Sequence, residues 1–490
     1  MNKEQSYRQI IKYTGYFGGV QGLNILAGLV RNKIIAVFLG PVGIGLISLY
    51  NSALKLISDS TNCGISLSGV RYVSETPDGL ERQHMIETVR RWCLITGIIG
   101  VALCCLLSPF LSYCYFDSSK EWLDFIWIAP IVGLTAFFSG ELSILKATRH
   151  LKAVGIQSLI VACISLVVCT PLYYWFGIDG IVPSLVITAL LTAITTIAFS
   201  FRRFPYTFTQ PWSTSFKHGV GLVRLGVAFI FAGILGSGAE FLVRVFINQV
   251  GELEDVGLYN AGYLVVVTYA SLVFLSLDND FFPRLSAVNR DVKQSNIIVN
   301  RQIEVSVMLL APLLQCFVLF LPIIIPLLYT SAFSGSIMMV RYGVLAMMFR
   351  AVMLPIEYLA LAKSRSWVYL FSESIYDFIF VGSVCGGYSL WGIDGAGIGL
   401  LFAGLANCIF DIVISRYYFK FIITGRVIRC FVLQIALMSA MFIVVTFFSG
   451  WIYWICGLVC IISSSLFTYI LVEREAKIFS TIISKIKRRG

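Results

Sequence analysis

Seven ionisable side chains stand where the surrounding sequence is otherwise apolar: Arg31, Lys33, Lys55, Asp59, Glu240, Arg244 and Arg350. A charge near the centre of a bilayer costs at least about 2.5 to 3.5 kcal/mol, so one that persists must face protein, water or a ligand. Most of the seven are basic, which favours an anionic guest over a cationic one. Arg31, Lys55 and Arg350 are the first choices for ligand contact. The spacing also allows a structural reading: Lys55 with Asp59, and Glu240 with Arg244, are i,i+4 pairs that would neutralise one another. Arg224 and Arg341, close to helix ends, are expected to snorkel. Asn24, Gln21 and Asn51 add neutral polar groups, which on membrane helices more often bond a neighbouring helix than a ligand.

These residues need membrane helices to hold them. Of 490 residues, 58% are hydrophobic and 13% charged, with a mean hydropathy of +0.85; a soluble domain carries about twice that charged fraction. Apolar runs long enough to cross about 30 Å of hydrocarbon recur between residues 14 and 472 and read as fourteen spans. The charges concentrate in spans one, two, seven and ten, which are expected to line a polar cavity; nearly charge-free spans such as five and six are expected to meet lipid. Lys and Arg collect in alternate loops, for example Arg71, Arg90, Arg91, Arg202, Arg203 and Arg416, whereas the opposite loops carry Glu254, Asp255 and Asp394. By the positive-inside rule both termini are cytoplasmic. The net charge of +11 then follows from topology and anionic lipid, with no nucleic-acid partner required. The thirteen cysteines lack ligand spacing and read as small packing residues. No metal or cofactor is expected.

The chain repeats itself. Gly-Ile-Asp-Gly at 177–180 recurs at 392–395, Gly45-Leu46 matches Gly257-Leu258, and Lys33 falls opposite Arg244, at offsets of 215, 212 and 211 residues. Such a period implies two six-helix lobes inserted in the same direction. The expected organisation is a first lobe over 1–203, a linker over 204–219, a second lobe over 220–420, an extra helix pair over 421–473 and a basic amphipathic tail over 474–490. The extra pair lies outside the repeat and is expected to be removable without loss of the lobes.

The stretch Gly18-Gly-Val-Gln-Gly to Leu39-Gly-Pro-Val-Gly-Ile-Gly-Leu46, then Asp59 to Val73, resembles the opening of Wzx-type polysaccharide flippases, and the paired Gly-Ile-Asp-Gly turns are similar to that family as well. The resemblance covers essentially the whole chain. It implies an all-α polytopic membrane protein of about fourteen helices, with two parallel six-helix lobes around a central cavity, plus two C-terminal helices. It also implies a transporter, not an enzyme, in the bacterial inner membrane, moving undecaprenyl-pyrophosphate-linked oligosaccharide outward by alternating access. Membrane lipid and the polysaccharide polymerase machinery are the partners that would follow. For such a cargo, guanidinium groups would replace pyrophosphate hydration with paired hydrogen bonds and ammonium groups would act as point charges. Proton or sodium coupling is compatible with the sequence, which does not choose between them. A multidrug exporter or lipid II flippase of the same superfamily, and a membrane polymerase or ligase, remain the alternatives.

Overall fold

A computed structural model describes residues 3–116, 122–206 and 210–476, with side chains left undescribed at 3–21, 116, 217–218, 221–229, 269–273, 275–280, 283, 472 and 474–476. Gln21, Arg224, His218 and the basic tail therefore lie outside the described side chains. Thirteen helices follow in order: α1 (Lys3–Thr61), α2 (Ile65–Glu75), α3 (Leu80–Phe116), α4 (Trp122–Ala147), α5 (Leu151–Phe176), α6 (Ile181–Phe201), α7 (Trp212–Val250), α8 (Leu253–Ala287), α9 (Val292–Leu328), α10 (Ile337–Ala362), α11 (Ser366–Phe419), α12 (Gly425–Phe447) and α13 (Gly450–Ala476). No strand occurs among the described residues.

Two of these helices are each two spans. The apolar part of α1, Gly22–Thr61, has 40 residues, about twice the length needed to cross the hydrocarbon at 1.5 Å per residue. It breaks at Gly40 (φ 62°), which Pro41 follows. Before the break α1 runs parallel to α5, since Asn24 Nδ2 donates to Ser158 Oγ at 2.8 Å and Phe38 meets the Tyr174 ring at 5.7 Å. After it α1 runs antiparallel to α3, with the Tyr115 hydroxyl on the Leu49 carbonyl at 3.0 Å and Thr61 beside Gly100. The helices α3, α4 and α5 alternate in direction, so α1 reverses at its break. In α11 the break falls at Trp391–Gly392, and a Cβ on Gly399 or Gly395 would lie 2.3 Å from the Ser383 carbonyl or 1.9 Å from the Gly387 carbonyl. Paired positions that converge on the break define a tight antiparallel hairpin. With both breaks counted, α1 and α3 to α13 correspond to the fourteen spans expected; ten stretches among the described residues are long and apolar enough to cross a membrane, and α2 is a short helix between the second and third spans.

The repeat has structural counterparts. Gly177 and Gly392 share the left-handed region (φ 57° and 59°), open to glycine because it has no Cβ to collide with the backbone. Three residues on, Gly180 abuts the Leu172 carbonyl as Gly395 abuts that of Gly387, and both members of this contact keep the 215-residue offset. Gly45 and Gly257 touch reciprocally: a Cβ on the first would lie 2.3 Å from the Leu253 carbonyl, and one on the second 1.9 Å from the Pro41 carbonyl.

The chain divides into two compact units, residues 1–258 with 327–332, and residues 259–326 with 333–490. The boundary differs from the one expected at 204–219. Residues 204–206 and 210–216 are held to the first unit by buried arginines of α3. Arg90 grips Glu141 of α4 through two hydrogen bonds of 2.7 and 3.0 Å and also donates to the Phe204 carbonyl at 2.8 Å, while Arg91 donates to the Gln210 carbonyl at 2.7 Å and to Ser215 Oγ at 2.8 Å. The Tyr206 hydroxyl completes the Glu141 site at 2.6 Å. Burial, with Glu141 adding to it, pushes the Tyr206 phenol well above its ordinary value, so it stays a neutral donor. Beyond this strap α7 packs on α1, α2 and α3.

In the second unit, α12 and α13 are joined to the rest by polar bonds from one helix to another. Tyr453 donates to the Leu319 carbonyl at 2.7 Å and Thr468 to the Met308 carbonyl at 2.9 Å, while within the pair buried Gln434 of α12 accepts from Ser464 of α13 at 2.7 Å. Arg426 pairs with Glu304 at 2.6 Å. These contacts argue against the expectation that the last pair is removable. Truncation after Lys420 is expected to lower the amount of monodisperse protein extracted from membranes severalfold, measured by fluorescence-detected gel filtration. An unchanged yield would show that the pair is peripheral.

Candidate functional site

Six of the seven singled-out residues belong to the first unit, where two arrangements hold five of them. The first lies between the second half of α1 and α7. Lys55 Nζ is 3.1 Å from Glu240 Oε1, and Glu240 Oε2 is 3.5 Å from Arg244 Nη1, which also donates to the Glu240 carbonyl at 2.9 Å. Glu240 thus bridges two cations. The Glu240–Arg244 pair stands as its spacing suggests, but Lys55 bonds Glu240 and not Asp59, because α7 brings a carboxylate closer than the next turn of α1 does. Asp59 instead faces Ser237 of α7, with Lys55 and Glu240 in its field. Small residues let the helices meet: Gly233 lies against the Asp59 Cβ, and Gly238 faces Leu56. Lys55 stays half exposed, whereas Arg244 is buried. Lys33 is tied elsewhere, its ammonium donating to the Tyr329 carbonyl just past α9.

The second arrangement surrounds Arg31. This side chain is exposed on α1 and makes no hydrogen bond or ion pair with any described residue. It lies in the field of Cys169 and Tyr173 of α5, neither of them a carboxylate. Together with Asn24 and Gly28 it edges a cavity of 370 Å³ whose far walls are α4, α5 and α6. One face each of α5 and α6 therefore lines a cavity edged by Arg31, which the scarcity of charge on these helices did not indicate. Their signal was hydroxyls, not charges.

Arg350 sits in the second unit. Its guanidinium faces Glu357, Glu373, Tyr376 and Tyr263, and Glu357 lies within hydrogen-bonding reach of Asp411, which also accepts from Ser372. Glu373 and Asp411 were not singled out in the sequence, although each is an acid within an apolar run, the same signal that exposed the others. Arg341 does not snorkel: it is buried, with Nη1 3.3 Å from the Met338 sulfur and Tyr453 nearby.

Fold and site together define a helical membrane protein with charged residues held inside its first unit. The fold is similar to that of an inward-facing multidrug resistance MATE family transporter of the MOP superfamily, at 14% identity over 82% of this chain and 94% of that one, TM-score 0.65. It is similar to lipid II flippase MurJ in an inward closed conformation, at 16% identity over 94% and 99%, TM-score 0.70. A Vibrio cholerae MATE transporter matches at 13% identity over 85% and 98%, TM-score 0.56. No curated protein matches the sequence. The family model described as polysaccharide biosynthesis protein matches residues 7–338, and the chain belongs to that family.

Proposed function

We propose that the chain is a flippase moving undecaprenyl-pyrophosphate-linked oligosaccharide, the repeat unit of an O-antigen or capsule, from the cytoplasmic to the periplasmic leaflet of a bacterial inner membrane. Both termini are then cytoplasmic, as the loop charges require. One observation carries the reading: Arg31 is an exposed guanidinium at the depth of apolar helices with no partner among the described residues. Lys33, Lys55, Arg244 and Arg350 each have a carboxylate or carbonyl beside them. An unpaired cation at that depth is costly unless a ligand or water takes its charge, and the pyrophosphate of a lipid-linked sugar supplies one within a polysaccharide biosynthesis family. Membership of that family and the likeness of fold to transporters support the reading.

Cells lacking the chain are expected to lose surface polysaccharide and to accumulate the lipid-linked oligosaccharide on the cytoplasmic leaflet, as judged by its protection from a periplasmic glycosidase. Normal surface polysaccharide with raised drug sensitivity would instead identify a multidrug exporter.

A further inference from the structure

We infer that the cavity bounded by α1, α4, α5 and α6 is a subsite for a single sugar ring of the cargo, with an anionic substituent of that ring held by Arg31 at its edge. The inference rests on the proposed function and adds the part of the cargo this site would read. The hydroxyls facing the cavity have their protons committed. Thr192 donates to the Thr188 carbonyl at 2.7 Å, Ser165 to the Ala162 carbonyl at 3.0 Å and Ser158 to the Gly155 carbonyl at 2.8 Å. A hydroxyl bonded back to its own helix keeps oxygen lone pairs for a guest. The walls therefore present acceptors, the complement of the donating hydroxyls of a pyranose.

Helix pairing accounts for Ser158 and some neighbours but not for Thr192 and Ser165. Gln157 spends its amide on Thr196 at 2.8 Å and Asn24 bonds Ser158, each linking one helix to another. Thr192 and Ser165 make no side-chain bond to a neighbouring helix among the described residues. A volume of 370 Å³ is at the low end of ligand pockets, about 300 to 1,000 Å³, so it suits one ring and not a whole repeat unit. Arg31 is the only charged side chain on the described lining. Its anion could be the pyrophosphate attached to the ring or the carboxylate of an acidic sugar.

The test measures affinities of the purified full chain for farnesyl pyrophosphate, farnesyl-pyrophosphoryl glucose and farnesyl-pyrophosphoryl glucuronate. The wild type should bind both sugar conjugates more tightly than bare farnesyl pyrophosphate. Thr192→Val combined with Ser165→Ala removes two acceptors and should weaken both conjugates by about tenfold, with bare farnesyl pyrophosphate shifted by less than about twofold. Thr192→Ser, which keeps the hydroxyl, should bind as the wild type does. If the double variant is not monodisperse, Ser165→Ala alone repeats the comparison on α5. Arg31→Gln should weaken all three probes if the anion is pyrophosphate, and only the glucuronate conjugate if it is the sugar carboxylate. Conjugates bound no better than bare farnesyl pyrophosphate, or weakened equally with it by the hydroxyl changes, overturn the subsite and leave the flippase reading standing. Failure of all three probes to bind overturns both.

Discussion

Replacing Glu141 with Ala is expected to remove most of the folded protein from the membrane. Glu141 is buried and accepts from Arg90 at 2.7 and 3.0 Å and from Tyr206 at 2.6 Å. Taking away the carboxylate leaves the buried Arg90 uncompensated, which costs about 3 to 5 kcal/mol, a large share of the stability of an ordinary domain. The same change frees Tyr206, whose ring also lies 4.0 Å beneath the Arg90 guanidinium. Arg90→Met combined with Glu141→Leu removes both charges and is expected to recover much of the loss, since a buried ion pair often exchanges for apolar packing at little cost. Thermal unfolding followed by gel filtration reads both variants. A single Glu141→Ala variant as stable as the wild type would show that residues 204–206 are not held by this pair.

The second large effect concerns the hairpins. Gly395→Ala places a methyl about where the Gly387 carbonyl stands, a separation of 1.9 Å, and Gly180→Ala meets the Leu172 carbonyl at 2.5 Å. Neither obstacle is a flexible side chain, so the helices must part, and overpacking of this kind costs about 1 to 3 kcal/mol or more. Gly386→Ala, one residue from the contact but with nothing within 4 Å, is the control and should be neutral. Loss at both 180 and 395 with tolerance at 386 is the pattern that a duplicated turn requires. Tolerance at 395 would mean the hairpin is looser than its backbone contacts indicate.

The spans were legible because bilayer crossing imposes a length and a hydropathy that no other constraint masks. The breaks were legible too, since Gly40-Pro41, Gly177 and Gly392 punctuate apolar runs. Pairing between helices was not. From the sequence, Lys55 has only Asp59 at a known distance, and nothing along the chain reports that α7 brings Glu240 to within 3.1 Å. Arg90 and Arg91 read as loop cations, which hid their burial. Reading charge as the sole mark of a polar helix also concealed α5 and α6, although Ser184, Thr188, Thr192 and Thr196 recur every fourth residue along one face of α6. Arg31 was legible as an intramembrane cation, whereas its lack of a partner needed coordinates.

The most direct test of the account is the rate at which the purified chain, in proteoliposomes, moves a fluorescent pyrophosphoryl-linked oligosaccharide lipid between leaflets, followed by its accessibility to a membrane-impermeant quencher. Hydrogen bonds to a charged group contribute about 1.5 to 3 kcal/mol, so Arg31→Gln should slow translocation by about tenfold to a hundredfold. Arg31→Lys, which keeps the charge but loses the paired donors, should fall between it and the wild type. Translocation by Arg31→Gln at the wild-type rate would contradict the claim that this unpaired guanidinium carries the anion of the cargo.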